Sequence, residues 1–179
     1  SVAQGRSFWA GTVGQKRFSE ALNIVDDPLL PGGLGSRHFD GEGIAARRLP
    51  LVTAGVVNNL FVDTYYGAKA GLAPTTGGDS NTLVLPSVDE DFAGLLRDIG
   101  EGIYVTSWLG GNSDGTTGDF SLGLRGHFVH KGHIGRPIGE MNVTGNLVDL
   151  FGQLVAAGND PSPYRSTQVP TLVFEGVQF

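Results

Sequence analysis

Residues Gly111-Asn-Ser-Asp-Gly115 carry the Gly-x-Ser-x-Gly spacing of a hydrolase nucleophile elbow. An elbow lifts its serine on a sharp turn between a strand and a helix. Here Thr116, Thr117 and Gly118 follow, and then an alternating strand pattern, so a glycine-shaped connection between strands is the better reading. A phosphate loop would need a helix N-terminus and usually a lysine, and neither follows. A calcium loop would need alternating acids and a distal glutamate, a spacing that Asn112, Asp114 and Asp119 do not meet.

The histidines offer metal chemistry. His127, His130 and His133 are close in sequence, and zinc accepts imidazole readily. A two-residue turn at Lys131-Gly132 would set His130 opposite His133 and turn His127 to the other face. Two imidazoles on a flexible hairpin tip can capture a metal adventitiously but do not make a catalytic centre. His38, Asp40 and Glu42 share one side of any extended segment, yet glycine-flanked acidic loops are usually solvated turns. Asp26 and Asp27 are paired carboxylates. Neighbours on a strand point to opposite faces, so acid–base work by this pair is disfavoured.

These residues must be held by a β-rich scaffold. Ile44 to Thr53, the Ala54-Gly55 turn, and Val56 to Val62 read as a hairpin, with Pro50 marking an edge or a bulge. Asp63 caps a short helix from Thr64 to Ala70, ended by Gly71. Ser87-Val-Asp-Glu90 reads as a capping box ahead of Phe92, Leu95, Leu96 and Ile99. Asn146 caps a second amphipathic helix through Leu147, Leu150, Phe151, Leu154 and Val155, stopping at Gly158. Gly102 to Leu109, Phe120 to Phe128, His133 to Val143 and Val169 to Phe179 read as strands. Phe120, Leu122, Leu124 and Phe128 alternate with Ser121, Gly123, Arg125 and His127, one face apolar and the other small or polar. The expected class is α+β, mostly antiparallel strands with two or three amphipathic helices.

Bulk properties narrow the partners. The 179 residues fit a single domain, and 40% hydrophobic against 17% charged residues excludes disorder. The 29 glycines have no period and fit tight turns and bulges. A net charge of −6, with no basic cluster longer than a pair such as Arg47-Arg48, disfavours nucleic acid and anionic membrane surfaces. No run of 18 apolar residues is present and no signal peptide is visible. With no cysteine, the chain has no disulfide, thiol nucleophile or thiolate zinc ligand, which fits the cytoplasm. The start at Ser1 without methionine, inside folded-looking sequence, is expected of a fragment.

One ordered set of motifs is more specific. Ile24-Val-Asp-Asp-Pro28, Gly35-Ser-Arg-His-Phe-Asp-Gly-Glu-Gly43, Gly102-Ile-Tyr-Val-Thr106, Thr117-Gly-Asp-Phe-Ser121, Gly135-Arg-Pro-Ile-Gly-Glu140, Thr144-Gly-Asn146 and Val155-Ala-Ala-Gly-Asn-Asp160 span nearly the whole chain. In order and spacing they resemble the carboxy-terminal domain of the TldD/PmbA family. That resemblance implies a cytoplasmic, dimeric protein of peptide processing, from a family once described as modulators of DNA gyrase. It also implies that TldD-type members hold zinc through an upstream His-Glu-x-x-x-His helix and a cysteine near the carboxy terminus. PmbA-type (TldE-type) members lack these and pair with a catalytic subunit. Beyond Gly158-Asn-Asp160 this chain reads Pro161-Ser-Pro-Tyr-Arg-Ser-Thr-Gln-Val169, with no cysteine. The resemblance therefore points to a PmbA-type domain with no catalytic residue, metal ligand or cofactor of its own. Its partners would be a second copy or a TldD-type subunit, and an extended peptide.

On that reading Ser121, Gly123 and Arg125, with Gly110, Gly111, Thr117, Gly118 and Asp119 of the adjoining loop, would form a peptide groove or a dimer seam. The same glycines equally suit tight sheet packing. Two other classes stay open: an active zinc peptidase that has lost its metal helix, and a self-associating structural domain without a peptide ligand.

Overall fold

The computed structural model describes residues 6–179. In chain order the elements are β1 (Ile24–Asp26), β2 (Leu49–Thr53), β3 (Val56–Val57), α1 (Thr64–Ala70), β4 (Thr82–Val84), α2 (Phe92–Asp98), β5 (Glu101–Ser113), β6 (Asp119–His130), β7 (His133–Pro137), β8 (Met141–Asn146), α3 (Leu147–Gly152), β9 (Leu154–Ala157), β10 (Thr167–Gln168) and β11 (Leu172–Phe174). The α+β class is as the alternation implied.

They form three sheets: β10-β4-β1-β2-β3, β11-β9, and β5-β6-β7 with β8 also paired to β6. Only the β10–β4 pairing is parallel. Two cores result. Phe18, Leu22, Leu49, Leu51, Val52, Val57 and Leu154 fill the first. Phe120, Leu124 and Val143 centre the second, under the long β5–β6 hairpin.

Helix α3 joins them. Val148 and Phe151 pack on the first core, and Leu147 and Leu150 on the second. Asn146 caps it as the sequence implied, its side chain accepting from the Val148 amide at 2.9 Å. The helix ends sooner than expected, at Gly152. Leu154 to Ala157 leave it as β9 and pair with β11. Leu154, Ala156 and Ala157 are buried there, so strand periodicity serves this stretch as well as helix periodicity.

Other expectations also changed. The capping box at Ser87–Glu90 does not form. Asp91 caps α2 by accepting from the Gly94 amide at 2.9 Å, and Ser87 accepts from the Ala157 amide at 2.9 Å. Ile99, expected within the helix, is its extended C-cap residue. The turn at Ala54-Gly55 is correct, with φ of 47° and 76°, but its strands stop short of Ile44 and Val62. Pro50 lies beside a bulge in the β1–β2 pairing rather than at a sheet edge. The terminal strand shrinks to Leu172–Phe174.

Candidate functional site

The 13-residue β5 and 12-residue β6 pair antiparallel, and the turn between them is shorter than the glycine content implied. Gly110 to Ser113 belong to β5, and only Asp114 to Gly118 turn. Ser113 pairs with Phe120 across the hairpin, with no helix after it, so the elbow geometry is missing.

The turn satisfies its own polar groups. Gly118 donates its amide to Asp114 O at 2.8 Å, and the Thr116 amide reaches the Asp114 carboxylate at 2.7 Å. Asn146 Nδ2 donates to Asp119 Oδ1 and to Thr117 O, each at 2.9 Å. The Thr117 hydroxyl donates to Asp119 Oδ2 at 2.7 Å. Asn146 first and Thr117 second hold the Asp119 carboxyl below its usual range. Little is left to cradle a phosphate.

The residues expected at the site therefore separate. Thr117, Gly118 and Asp119 build the turn. Gly111 permits a close backbone approach: its φ is 138°, and a Cβ there would sit 2.1 Å from Ser121 O. Gly110, Ser121, Gly123 and Arg125 share the polar face of the sheet. Across the strands the rows read Asn112–Ser121–Thr144, then Gly110–Gly123–Asn142, then Ser107–Arg125. The Arg125 side chain has no hydrogen-bond or ion-pair partner among the described residues. Leu109, a bulged residue 52% exposed, leans over Gly123, its Cβ 3.4 Å from where a Gly123 Cβ would lie. At the far end α2 closes the platform, with Phe92 and Tyr104 rings 4.8 Å apart. His127 lies opposite Tyr104 in that corner, its Nδ1 enclosed and without a partner.

β6 is flanked by β5 on one side and by β7 and β8 on the other, so its backbone has no free edge. Among the described residues the outer edge of β5 is unpaired, and Trp108 and Leu109 on it are 55% and 52% exposed. Sequence reasoning missed Trp108, Leu109, Asn112, Asn142 and Thr144. Their place follows from two bulges, at Thr106 and Leu109, and from the return of β8 to β6.

The remaining chemistry-like groups serve structure. Asp26 is buried and accepts from the Ser80 amide and hydroxyl, both at 2.7 Å. Asp27 turns away and pairs with Arg48 at 3.5 Å. Asp40 accepts from the Ile44 and Glu42 amides at 2.9 Å and the Gly77 amide at 3.2 Å. The Ile44 amide, outweighing partial desolvation, holds its carboxyl low. Glu42 accepts from the Thr64 amide at the start of α1, at 2.9 Å. Asp40 and Glu42, with Arg37 and Asp63, line a shallow cleft of about 270 Å³, while His38 is exposed and not part of its lining. As the side chains stand, no three His, Asp or Glu among the described residues converge on a metal position.

Sequence comparison accords with this architecture. The family model described as the PmbA/TldA metallopeptidase C-terminal domain matches residues 1–179. The chain belongs to that family. Metalloprotease PmbA homolog of Buchnera aphidicola (Baizongia pistaciae) is 31% identical over 180 residues, covering 99% of this chain and 40% of that protein. Metalloprotease PmbA of Escherichia coli O157:H7 is 32% identical over 162 residues, covering 89% and 36%. A proposed modulator of DNA gyrase from Bacteroides thetaiotaomicron superposes with a TM-score of 0.94 at 42% identity, over 98% of this chain and 40% of that one. TldE from Thermococcus kodakarensis shares the fold, with a TM-score of 0.89 at 21% identity over 98% and 43%. This PmbA-family chain spans about two-fifths of the length of such relatives.

Proposed function

We propose that this chain is the carboxy-terminal domain of a non-catalytic, PmbA/TldE-type subunit that works beside a TldD-type zinc peptidase in the cytoplasm. Its task on this reading is to hold an extended peptide and the partner subunit, while the partner supplies the metal. The observation that carries the reading is the β5–β6 platform. It combines an unpaired strand edge, a face of Ser, Gly, Asn and Thr, and one free guanidinium at Arg125. An open edge holds a peptide backbone of any sequence, and small side chains let it approach. The missing thiolate supports the non-catalytic role, because Pro161–Val169 contain no cysteine where catalytic members carry one.

A second reading draws on the name "metalloprotease" borne by the PmbA relatives, which extend well beyond this domain. It makes the whole protein a zinc peptidase whose ligands lie outside this chain. Metal content and peptide cleavage by the full-length protein, alone and with a TldD-type partner, separate the two. Cleavage only with the partner supports the non-catalytic role. Stoichiometric zinc and cleavage without a partner overturn it.

A further inference from the structure

We propose that Asp114-Gly115, in the β5–β6 turn, is a site of spontaneous covalent modification, where aspartate converts to isoaspartate through a cyclic imide. The Gly115 amide nitrogen bonds to Asp114 Cγ, its proton passes to solvent, and the hydroxyl of the protonated carboxyl leaves as water. Water then reopens the ring. Opening at Cγ restores aspartate. Opening at the Asp114 main-chain carbonyl carbon leaves the chain running through Cβ and Cγ. No oxidant, metal or enzyme takes part. The reaction needs a carboxyl that is free to turn and a nitrogen that no neighbouring side chain shields, which is why the second residue is glycine.

The chain carries this dipeptide twice, as Asp40-Gly41 and Asp114-Gly115, and the fold treats the two differently. Both carboxylates accept from the amide two residues on, Glu42 at 2.9 Å and Thr116 at 2.7 Å. Such a turn folds the carboxyl back over the glycine whose nitrogen it must meet. Both glycines are open, with nothing within 4 Å of where a Cβ would stand. Asp40, however, is locked. It is 6% exposed and also accepts from the Ile44 amide at 2.9 Å, the Gly77 amide at 3.2 Å and the Thr76 hydroxyl at 3.4 Å. The Ile44 amide above all holds its carboxyl low, so the reactive protonated form is rarer. Asp114 is exposed, and Thr116 is the one donor to its carboxylate among the described residues. The Gly115 amide donates to nothing among them, and the Phe8 amide on Gly115 O, at 3.2 Å, is the tie on that peptide unit. Conversion would reach the platform. The Asp114 amide donates to Asp119 O and the Gly118 amide to Asp114 O, both at 2.8 Å, and an extra methylene in the main chain draws this pairing out of register.

The test is warm storage of the full-length protein in neutral buffer, followed by peptide mapping and by labelling with an isoaspartyl methyltransferase. Isoaspartate should accumulate at Asp114 at least about tenfold faster than at Asp40, whose carboxyl reacts only after local opening. In the urea-unfolded chain the two rates should come together, because both carboxyls have lost their native donors. Gly115→Ala fits the open space around that residue and should slow conversion at Asp114 by shielding the nitrogen, while thermal melts check that the variant is folded. Equal rates at the two sites in the folded protein, or faster conversion at Asp40, would overturn the proposal. So would a folded protein that forms no isoaspartate at Asp114 where the unfolded chain does, or an undiminished rate in Gly115→Ala.

Discussion

Asn146 and Asp119 meet through one hydrogen bond, Asn146 Nδ2 to Asp119 Oδ1 at 2.9 Å, while Asn146 Oδ1 caps α3 through the Val148 amide at the same distance. One amide side chain thus joins the β5–β6 turn to the helix between the two cores. Asn146→Ala should lose the cap and the clamp together. The cap alone is worth about 1 kcal/mol. Asn146→Asp keeps a cap acceptor but sets a second carboxylate against Asp119, and the Thr117 carbonyl loses its donor. Urea melts should rank wild type above Asn146→Asp at neutral pH. That deficit should narrow below the ordinary carboxylate range, as the new acid becomes neutral.

Gly111→Ala should cost more than Gly110→Ala. Both glycines have positive φ, 138° and 115°. A Cβ at Gly111 would meet Ser121 O at 2.1 Å, a backbone atom held in the β5–β6 ladder, whereas a Cβ at Gly110 meets nothing within 4 Å. Backbone strain alone is worth about 1–3 kcal/mol at each. The clash adds to Gly111 only. Equal losses in denaturant melts would show that the hairpin end yields freely.

Much of this was legible locally and little of it at long range. The alternation from Phe120 to Phe128, the turn at Lys131-Gly132 and the cap at Asn146 depend on neighbours in sequence, and each formed as expected. The false capping box failed because Ser87 spends its hydroxyl on Ala157, 70 residues away. The end of α3 was hidden because Leu154 and Val155 fit a helical stripe, while burial against β11 decided for a strand. Of the expected platform, Ser121, Gly123 and Arg125 could be placed on one face by period 2. Their cross-strand partners Asn112, Asn142 and Thr144 depend on bulges and register. The place of Glu101 beside His130 has the same origin, 29 residues apart in sequence.

The platform hypothesis is tested at Gly123. A Cβ there would lie 3.3 Å from Asn142 Oδ1 and 3.4 Å from the Leu109 Cβ, so Gly123→Ala needs only small adjustments. Gly123→Leu must displace Leu109, an exposed side chain that can swing away, and so should change stability by about 1 kcal/mol or less if the bulge yields. Its branched end would then stand on the face offered to a peptide or partner. Peptide capture and co-purification with a TldD-type subunit should fall at least tenfold with the melting temperature nearly unchanged. Undiminished binding would mean that these glycines serve sheet packing alone.

Asp160 should contribute to the loss of stability in acid. It accepts from the Phe92 amide at 3.0 Å, the Thr171 amide at 2.9 Å and the Thr171 hydroxyl at 2.7 Å, fastening the start of α2 to the strand that covers the first core. Burial works to raise its carboxyl pKa, but the Thr171 and Phe92 donors together outweigh burial and hold it below the ordinary aspartate value. The unfolded chain then binds more protons than the native one between the lowered value and about 3.9, so stability rises with pH across that window. The contribution is complete above the unfolded value and disappears as pH falls through the native one. Asp160→Asn should destabilise at neutral pH and flatten the fall in melting temperature below about pH 4, while keeping one acceptor for the Thr171 amide. An unchanged acid slope in that variant would count against Asp160 and leave the slope to other carboxyls held low, among them Glu20, Asp40 and Asp119.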